Sequence, residues 1–181
     1  MIKVSIFANY SSPALRYLDF TPPIIDLIIA KKGTCLPLHH RSITCQKMEA
    51  NMATIFTKII SGELPAHKIL EEDRFLAFLD IRPVNPGHTL VIPKQEIDYI
   101  FDLEDPVLKD LMVFAKKVSR GIRKAISCKR IGVMVAGLEV PHTHIHLIPI
   151  IESLHELNFS RAQSMAAEEL ARIAQKIRTH L

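Results

Sequence analysis

Residues 141–150 read Pro141-His142-Thr143-His144-Ile145-His146-Leu147-Ile148-Pro149-Ile150. Successive side chains of a β-strand leave on opposite faces, so residues two apart share a face. The alternation predicts a strand with His142, His144 and His146 in a row on one side. Thr143, Ile145 and Leu147 would turn the other way, into a core. Imidazole is the side chain whose unperturbed pKa lies nearest neutrality. Three in a row form a surface that can attack, protonate, bind phosphate or hold a metal, whereas a plain solvated face more commonly carries Lys, Thr or Glu.

The stretches around this strand alternate in type. Upstream, Arg130–Val135 reads as another strand. Residues 106–126 repeat Leu108, Leu111, Ala115, Val118, Ile122 and Ile126 at spacings of three and four, one apolar stripe of a long helix. Pro106 suits its first turn, where the missing N–H costs nothing. Further back, His88–Ile92, Phe75–Leu79 and the pair Ile69-Leu70 read as strands. Pro83-Val84-Asn85-Pro86-Gly87 is loop chemistry, and Phe56–Ile60 is a short helix ended by Gly62 and Pro65. After Ser164, a plausible cap, Leu170, Ile173, Ala174 and Ile177 mark a C-terminal helix with Glu168 and Glu169 near its positive end. Strands in hairpin order, one long helix and a closing helix predict an α+β fold with an antiparallel sheet.

The chain has 181 residues, 48% of them hydrophobic, and a formal charge of +4. That is enough apolar material for a core. The mild charge, with no dense Lys/Arg run, favours a small anionic ligand over duplex nucleic acid. Cys35, Cys45 and Cys128 are odd in number and lack C-x-x-C spacing, which fits a reducing cytoplasm rather than a disulfide framework or a zinc site. No segment reaches the roughly 20 apolar residues of a membrane-spanning helix. The best candidate, Pro22–Ala30, is short, is interrupted by Asp26 and lacks the features of a signal peptide.

A boundary is expected near residue 50. Residues 1–51 show no sustained periodicity, apart from the short alternating run Ile2–Ile6. Met52-Ala53-Thr54-Ile55-Phe56 reads like the start of a cytoplasmic protein. The expected division is an extension of unknown role over 1–51, with Met52 as the true or main start. A catalytic-type domain would cover 52–155, and a tail with its helix 156–181.

Residues 55–150 resemble the histidine triad (HIT) superfamily of nucleotide hydrolases and transferases. The signature His-φ-His-φ-His-φ-φ is matched by His142-Thr143-His144-Ile145-His146-Leu147-Ile148. Ile55–Pro65 resembles the family's opening helix, and Phe78-Leu79-Asp80-Ile81-Arg82-Pro83-Val84-Asn85-Pro86-Gly87-His88-Thr89-Leu90-Val91-Ile92-Pro93-Lys94 its central hairpin. The resemblance implies that His144 is the nucleophile that takes a nucleoside monophosphate, that His146 contacts the α-phosphate with His88 beside it, and that His142 supports the site. It further implies that Asp80 binds the ribose hydroxyls and that Ile55, Phe56, Ile59, Phe78 and Ile81 line the base pocket. A purine nucleotide substrate and a homodimer are implied, with no metal, no other cofactor, no nucleic acid and no membrane partner. The chemistry is coherent. Neutral imidazole is a nucleophile at pH 7, and a covalent intermediate divides one hard phosphoryl transfer into two easier steps.

The chain departs from the family pattern before the triad. Leu138 stands where many relatives carry a Gln, and an Asn-Gly-type element is missing from the loop that precedes it. These positions touch the leaving group in the family, so the leaving group is left open. Two other functions remain in view. One is a zinc-dependent hydrolase using the H-x-H pattern, and the other a nucleotide-binding protein without significant turnover. His39, His40, His67, His155 and His180 are isolated and receive no role.

Overall fold

The computed structural model describes residues 53–181. The expected extension, the run Ile2–Ile6 and the start at Met52 lie outside the described residues. Helix α1 (Ile55–Ser61) begins where the Thr54 hydroxyl accepts the Thr57 N–H, and it ends at Gly62, whose φ of 83° places it in the left-handed region. Strands β1 (Lys68–Glu71) and β2 (Phe75–Leu79) form a hairpin, and β3 (Thr89–Pro93) follows the proline-rich loop. Helix α2 (Asp105–Ala125) carries Pro106 in its first turn. After it come β4 (Arg130–Met134), β5 (Ile145–Ile150) and helix α3 (Ala167–Arg178).

The five strands make one antiparallel sheet in the order β1-β2-β3-β5-β4. Both faces of its middle are covered, so β2, β3 and β5 are buried at every position. That is why β2 reads as a continuous apolar run rather than an alternation. On one face Phe75, Ala77, Leu79, Val91, Ile145 and Leu147 join the buried stripe of α2 and Leu170, Ile173 and Ile177 of α3. On the other, Leu76, Phe78, Leu90 and Ile92 pack with Phe56 and Ile59 of α1. Each fully buried Leu, Ile or Phe contributes about 1.5–3 kcal/mol by leaving water. Among the described residues no helix is long and apolar enough to cross a membrane.

The expected elements are present, with three local differences. The histidine strand begins at Ile145, so His142, Thr143 and His144 precede it. Their backbone is drawn off the sheet by the 95–98 segment: the Thr143 N–H donates to the Ile97 carbonyl at 2.6 Å and its hydroxyl to the Asp98 carbonyl at 3.2 Å. His88 lies one residue before β3. The cap position of α3 belongs to Ala166, not Ser164, and makes no side-chain cap bond.

Candidate active site

Four histidines meet on the α1 face of the sheet, and all four are buried. They arrive from two directions. His142, His144 and His146 come from the approach to β5 and its start, His88 from the end of the 83–87 loop. The rings of His144 and His146 lie 4.9 Å apart, those of His146 and His88 5.2 Å. The expected row therefore exists, although its first two members, His142 and His144, lie before the strand.

The backbone sets the proton on each ring. A carbonyl only accepts, so the ring nitrogen facing it carries the hydrogen. His142 donates from Nε2 to the Pro93 carbonyl at 2.8 Å, and its Nδ1 accepts from the Thr54 hydroxyl at 3.1 Å. His144 donates from Nδ1 to the His142 carbonyl at 2.7 Å. Its Nε2 therefore keeps a bare lone pair. The second chain starts from a donor. The Val84 N–H gives to His88 Nδ1 at 3.2 Å, so His88 carries its hydrogen on Nε2 and donates to His146 Nδ1 at 3.0 Å. His146 is left with an N–H at Nε2. Two neighbouring rings thus hold opposite capabilities, a nucleophilic nitrogen on His144 and a donor on His146.

Electrostatics keep three of these rings, His88, His142 and His146, neutral. Burial lowers the His88 pKa to about 4. Burial, reinforced by His88 and His144, lowers that of His146 to about 3. Burial also lowers His142, against the raising effects of its bond to Pro93 and of Glu96. At neutral pH these three rings are uncharged and their tautomers persist.

His144 and His146 line a cavity of about 330 Å³ with Asp80, Arg82, Glu139 and Phe159. Burial raises the Asp80 carboxyl above its ordinary value, while the Arg82 N–H bonded to it at 2.8 Å works the other way. Asp80 also lies 3.6 Å from His88 Nδ1. Since that nitrogen already accepts the Val84 N–H, the contact is not an ion pair. Asp80, His88 and His146 are grouped closely enough for a cation, yet the facing nitrogens of His88 and His146 are already bonded to each other.

The apolar residues expected at the base pocket divide. Phe56, Ile59 and Phe78 are buried together, with the Phe56 ring 5.2 Å from that of His144. Ile55 and Ile81 are exposed. None of the five lines the cavity between Asp80 and His144. Leu138, at the departure from the family pattern, lines it and is 94% exposed.

Several contributors escaped the sequence reading. Thr54 could have been found, because Thr before an apolar helix is a cap signal. Its second partner, His142, could not. Pro93 and Val84 act through backbone atoms, and Phe159 sits in a turn of 3₁₀ helix without periodicity. Glu156 is buried and accepts the N–H groups of Ile151, Glu152 and Ser153 at 2.6–2.8 Å, together with the Asn85 amide. These donors, the Ile151 N–H foremost, hold its carboxyl down at about 2.

Such a group adds stability that is complete above the ordinary carboxylate pKa and disappears as pH falls through about 2. Glu156→Gln is therefore expected to melt well below wild type at pH 7, with the gap closing as pH falls from about 4.5 toward 2. Thermal melts of both proteins across that range check this. A gap independent of pH would mean that shape, not charge, matters at 156.

The family model for the HIT domain matches residues 61–153. The chain belongs to the histidine triad (HIT) family. An uncharacterized HIT-like protein of Methanocaldococcus jannaschii is 36% identical over 121 residues, covering 64% of this chain and 94% of that one. The adenosine 5'-monophosphoramidase of Saccharomyces cerevisiae is 38% identical over 112 residues, covering 59% and 71%. Among solved structures, a HIT-like protein from Bartonella henselae superposes with a TM-score of 0.64 at 34% identity, covering 71% of this chain and 96% of that one. A zinc-bound histidine triad family protein from Mycobacterium smegmatis gives 0.62 at 26% identity, covering 71% and 93%. His142, His144 and His146 all fall within the matched residues.

Proposed function

We propose that this HIT protein hydrolyses or transfers at the α-phosphate of a purine nucleotide phosphoramidate, mixed anhydride or dinucleoside polyphosphate, through a nucleotidyl-His144 intermediate. The observation that carries this reading is the pair of opposed tautomers, a bare His144 Nε2 beside a His146 Nε2–H. The similarity to an adenosine 5'-monophosphoramidase supports it. His144 Nε2 attacks phosphorus as the bond to the leaving group breaks, and the leaving group departs with a proton taken from solvent. Water then attacks the phosphorus of the nucleotidyl-His144, the Nε2–phosphorus bond breaks, and the proton that water gives up returns to solvent, releasing the nucleoside monophosphate and restoring neutral His144. His146 donates to the phosphoryl oxygens, where charge is greatest in the transition state. Its neutrality costs little reorganisation there. The purine is assigned to the exposed Ile55 and Ile81, with Phe56, Ile59 and Phe78 as the buried apolar support of the site.

A panel of substrates sharing one AMP moiety and differing in leaving group tests the reading, with acid-quenched mass spectrometry for the covalent adduct. Turnover should resist chelators, because imidazole supplies the nucleophile and no metal-bound water is needed. Activity lost to EDTA and restored by stoichiometric zinc would favour a metallohydrolase using Asp80, His88 and His146, the grouping with suitable spacing.

Asp80 is assigned to the ribose hydroxyls. Asp80→Ala is expected to weaken nucleotide binding by about 1.5–3 kcal/mol, the worth of a hydrogen bond to a charged acceptor. The loss should be smaller for 2′-deoxynucleotides, which keep only the 3′-hydroxyl. Isothermal titration with both sugars on both proteins decides this, and equal losses for the two sugars would refute the assignment.

A homodimer and a cytoplasmic location complete the proposal. Among the described residues β4 lies at the sheet edge, with Val133 on it and Val135 just after it exposed, and an edge with apolar side chains is a pairing surface. A second copy would join there, with the 106–126 helices of the two copies packed together.

A further inference from the structure

The segment from Ile151 to Met165 leaves the end of β5 and returns along the 81–85 loop before entering α3. It is tied to that loop at both ends. Glu156 holds the Asn85 amide and three successive N–H groups at the near end. At the far end the Gln163 N–H reaches the Pro83 carbonyl at 3.3 Å and the Met165 N–H the Ile81 carbonyl at 3.4 Å. Between the ties sits Phe159, a member of neither apolar cluster. Its ring centroid is 4.7 Å from that of His146 and 6.3 Å from that of His88, nearly parallel to the latter at 26°. It also forms part of the cavity wall. A large ring held over two imidazoles, and not over the core, covers the His88–His146 hydrogen bond.

We propose that Phe159 is a positioning residue, roofing the His88–His146 pair so that water cannot compete for their hydrogen bond and His146 keeps the tautomer that presents Nε2–H to the cavity. Water reaching this bond could satisfy either nitrogen of His146 and would solvate its imidazolium form. The groups that face His146 are His88 from the 83–87 loop, His144 from the approach to β5, Asp80 at the end of β2, and Arg82 and Glu139 around the cavity. Of these, His88 and His144 oppose its protonation, which leaves solvent access through Phe159 as the variable the experiment changes.

The effect on turnover rests on the function proposed above; the effect on the ring does not. The test uses the full chain, uniformly ¹⁵N-labelled, as wild type, Phe159→Ala and Phe159→Leu. Imidazole nitrogen spectra are recorded between pH 4 and 8, and kcat and KM measured on an AMP phosphoramidate. Wild type is expected to show a single neutral His146 tautomer with hydrogen on Nε2 throughout. Phe159→Ala should show mixed tautomers and protonation beginning at least about one pH unit higher, as solvation returns. Its kcat should fall by about tenfold, part of what a positioned proton donor contributes, with KM changing less. Phe159→Leu keeps apolar cover and should restore the wild-type spectrum. Because Phe159 is 36% exposed and outside both clusters, the Ala variant is expected to fold, and a melt confirms it. An unchanged His146 tautomer and titration in folded Phe159→Ala overturns the proposal. Absence of turnover in wild type counts against the proposed function and leaves the spectra to decide the role of Phe159.

Discussion

His144→Ala is expected to lose at least about 10⁴-fold in kcat while keeping its fold and most of its nucleotide affinity, as removal of an obligatory nucleophile does elsewhere. Among the described residues the His144 side chain makes one hydrogen bond, through Nδ1 to the His142 carbonyl. It is 7% exposed and touches Phe56 at a ring distance of 5.2 Å. Truncation removes the ring's contacts with Phe56 and His146 but no strand pairing, which begins beyond it at Ile145 with Val91. Three measurements separate the outcomes: single-turnover rates, the melting temperature and the dissociation constant for AMP. Turnover close to wild type, with folding intact, would eliminate the covalent mechanism. Loss of AMP binding in step with kcat would instead make His144 a binding residue.

Gly87→Ala is the second large effect, and it acts through the scaffold. Gly87 has φ of 86°, and a Cβ there would lie 2.9 Å from Ile126 Cγ1 and 3.4 Å from Pro149 Cγ. The left-handed conformation costs an L-residue about 1–2 kcal/mol, and crowding a packed neighbour typically costs about 1–3 more. The sum is about 2–5 kcal/mol. Gly87 immediately precedes His88, whose own N–H bonds to the Asn85 carbonyl at 3.0 Å. Relief of the crowding should move His88 and so disturb His146. Gly62→Ala is the internal control. Its φ is 83°, but none of the described residues lies within 4 Å of its Cβ position, so only the conformational part applies. Urea unfolding of the two variants should differ by at least about 1 kcal/mol. Equal losses would show that the contact with Ile126 yields freely.

Most of the fold was legible because its signals are local. Phe75–Leu79 is β2 as read, and the stripe from Leu111 to Ile122 faces the sheet. Gly62 ends α1, and the loop from Pro83 to Gly87 carries the chain to β3. The start of the histidine strand was less legible, since the 95–98 backbone competes for Thr143. No property of Thr143 itself announces that partner. Phe56, Ile59 and Phe78 carry the same ambiguity. Apolar residues at helical or strand spacing look alike whether they face a core or a ligand, and here they are buried against one another.

By itself, the sequence determined which histidines could share a face, because alternation in a strand is a property of the backbone alone. It also determined the α+β class and the family, through motifs in order along the chain. Only the tertiary structure decided what each imidazole can do. A ring's proton goes to the nitrogen that finds an acceptor and away from the one that faces a donor, and for His142 and His146 those partners are remote. The Pro93 carbonyl fixes His142 across 49 positions, and His88 fixes His146 across 58. The roof of Phe159 comes from a segment with no periodic signal. Tautomer and solvent access are set by contacts in space, and those contacts exist only once the sheet, its loop and the returning segment have packed together.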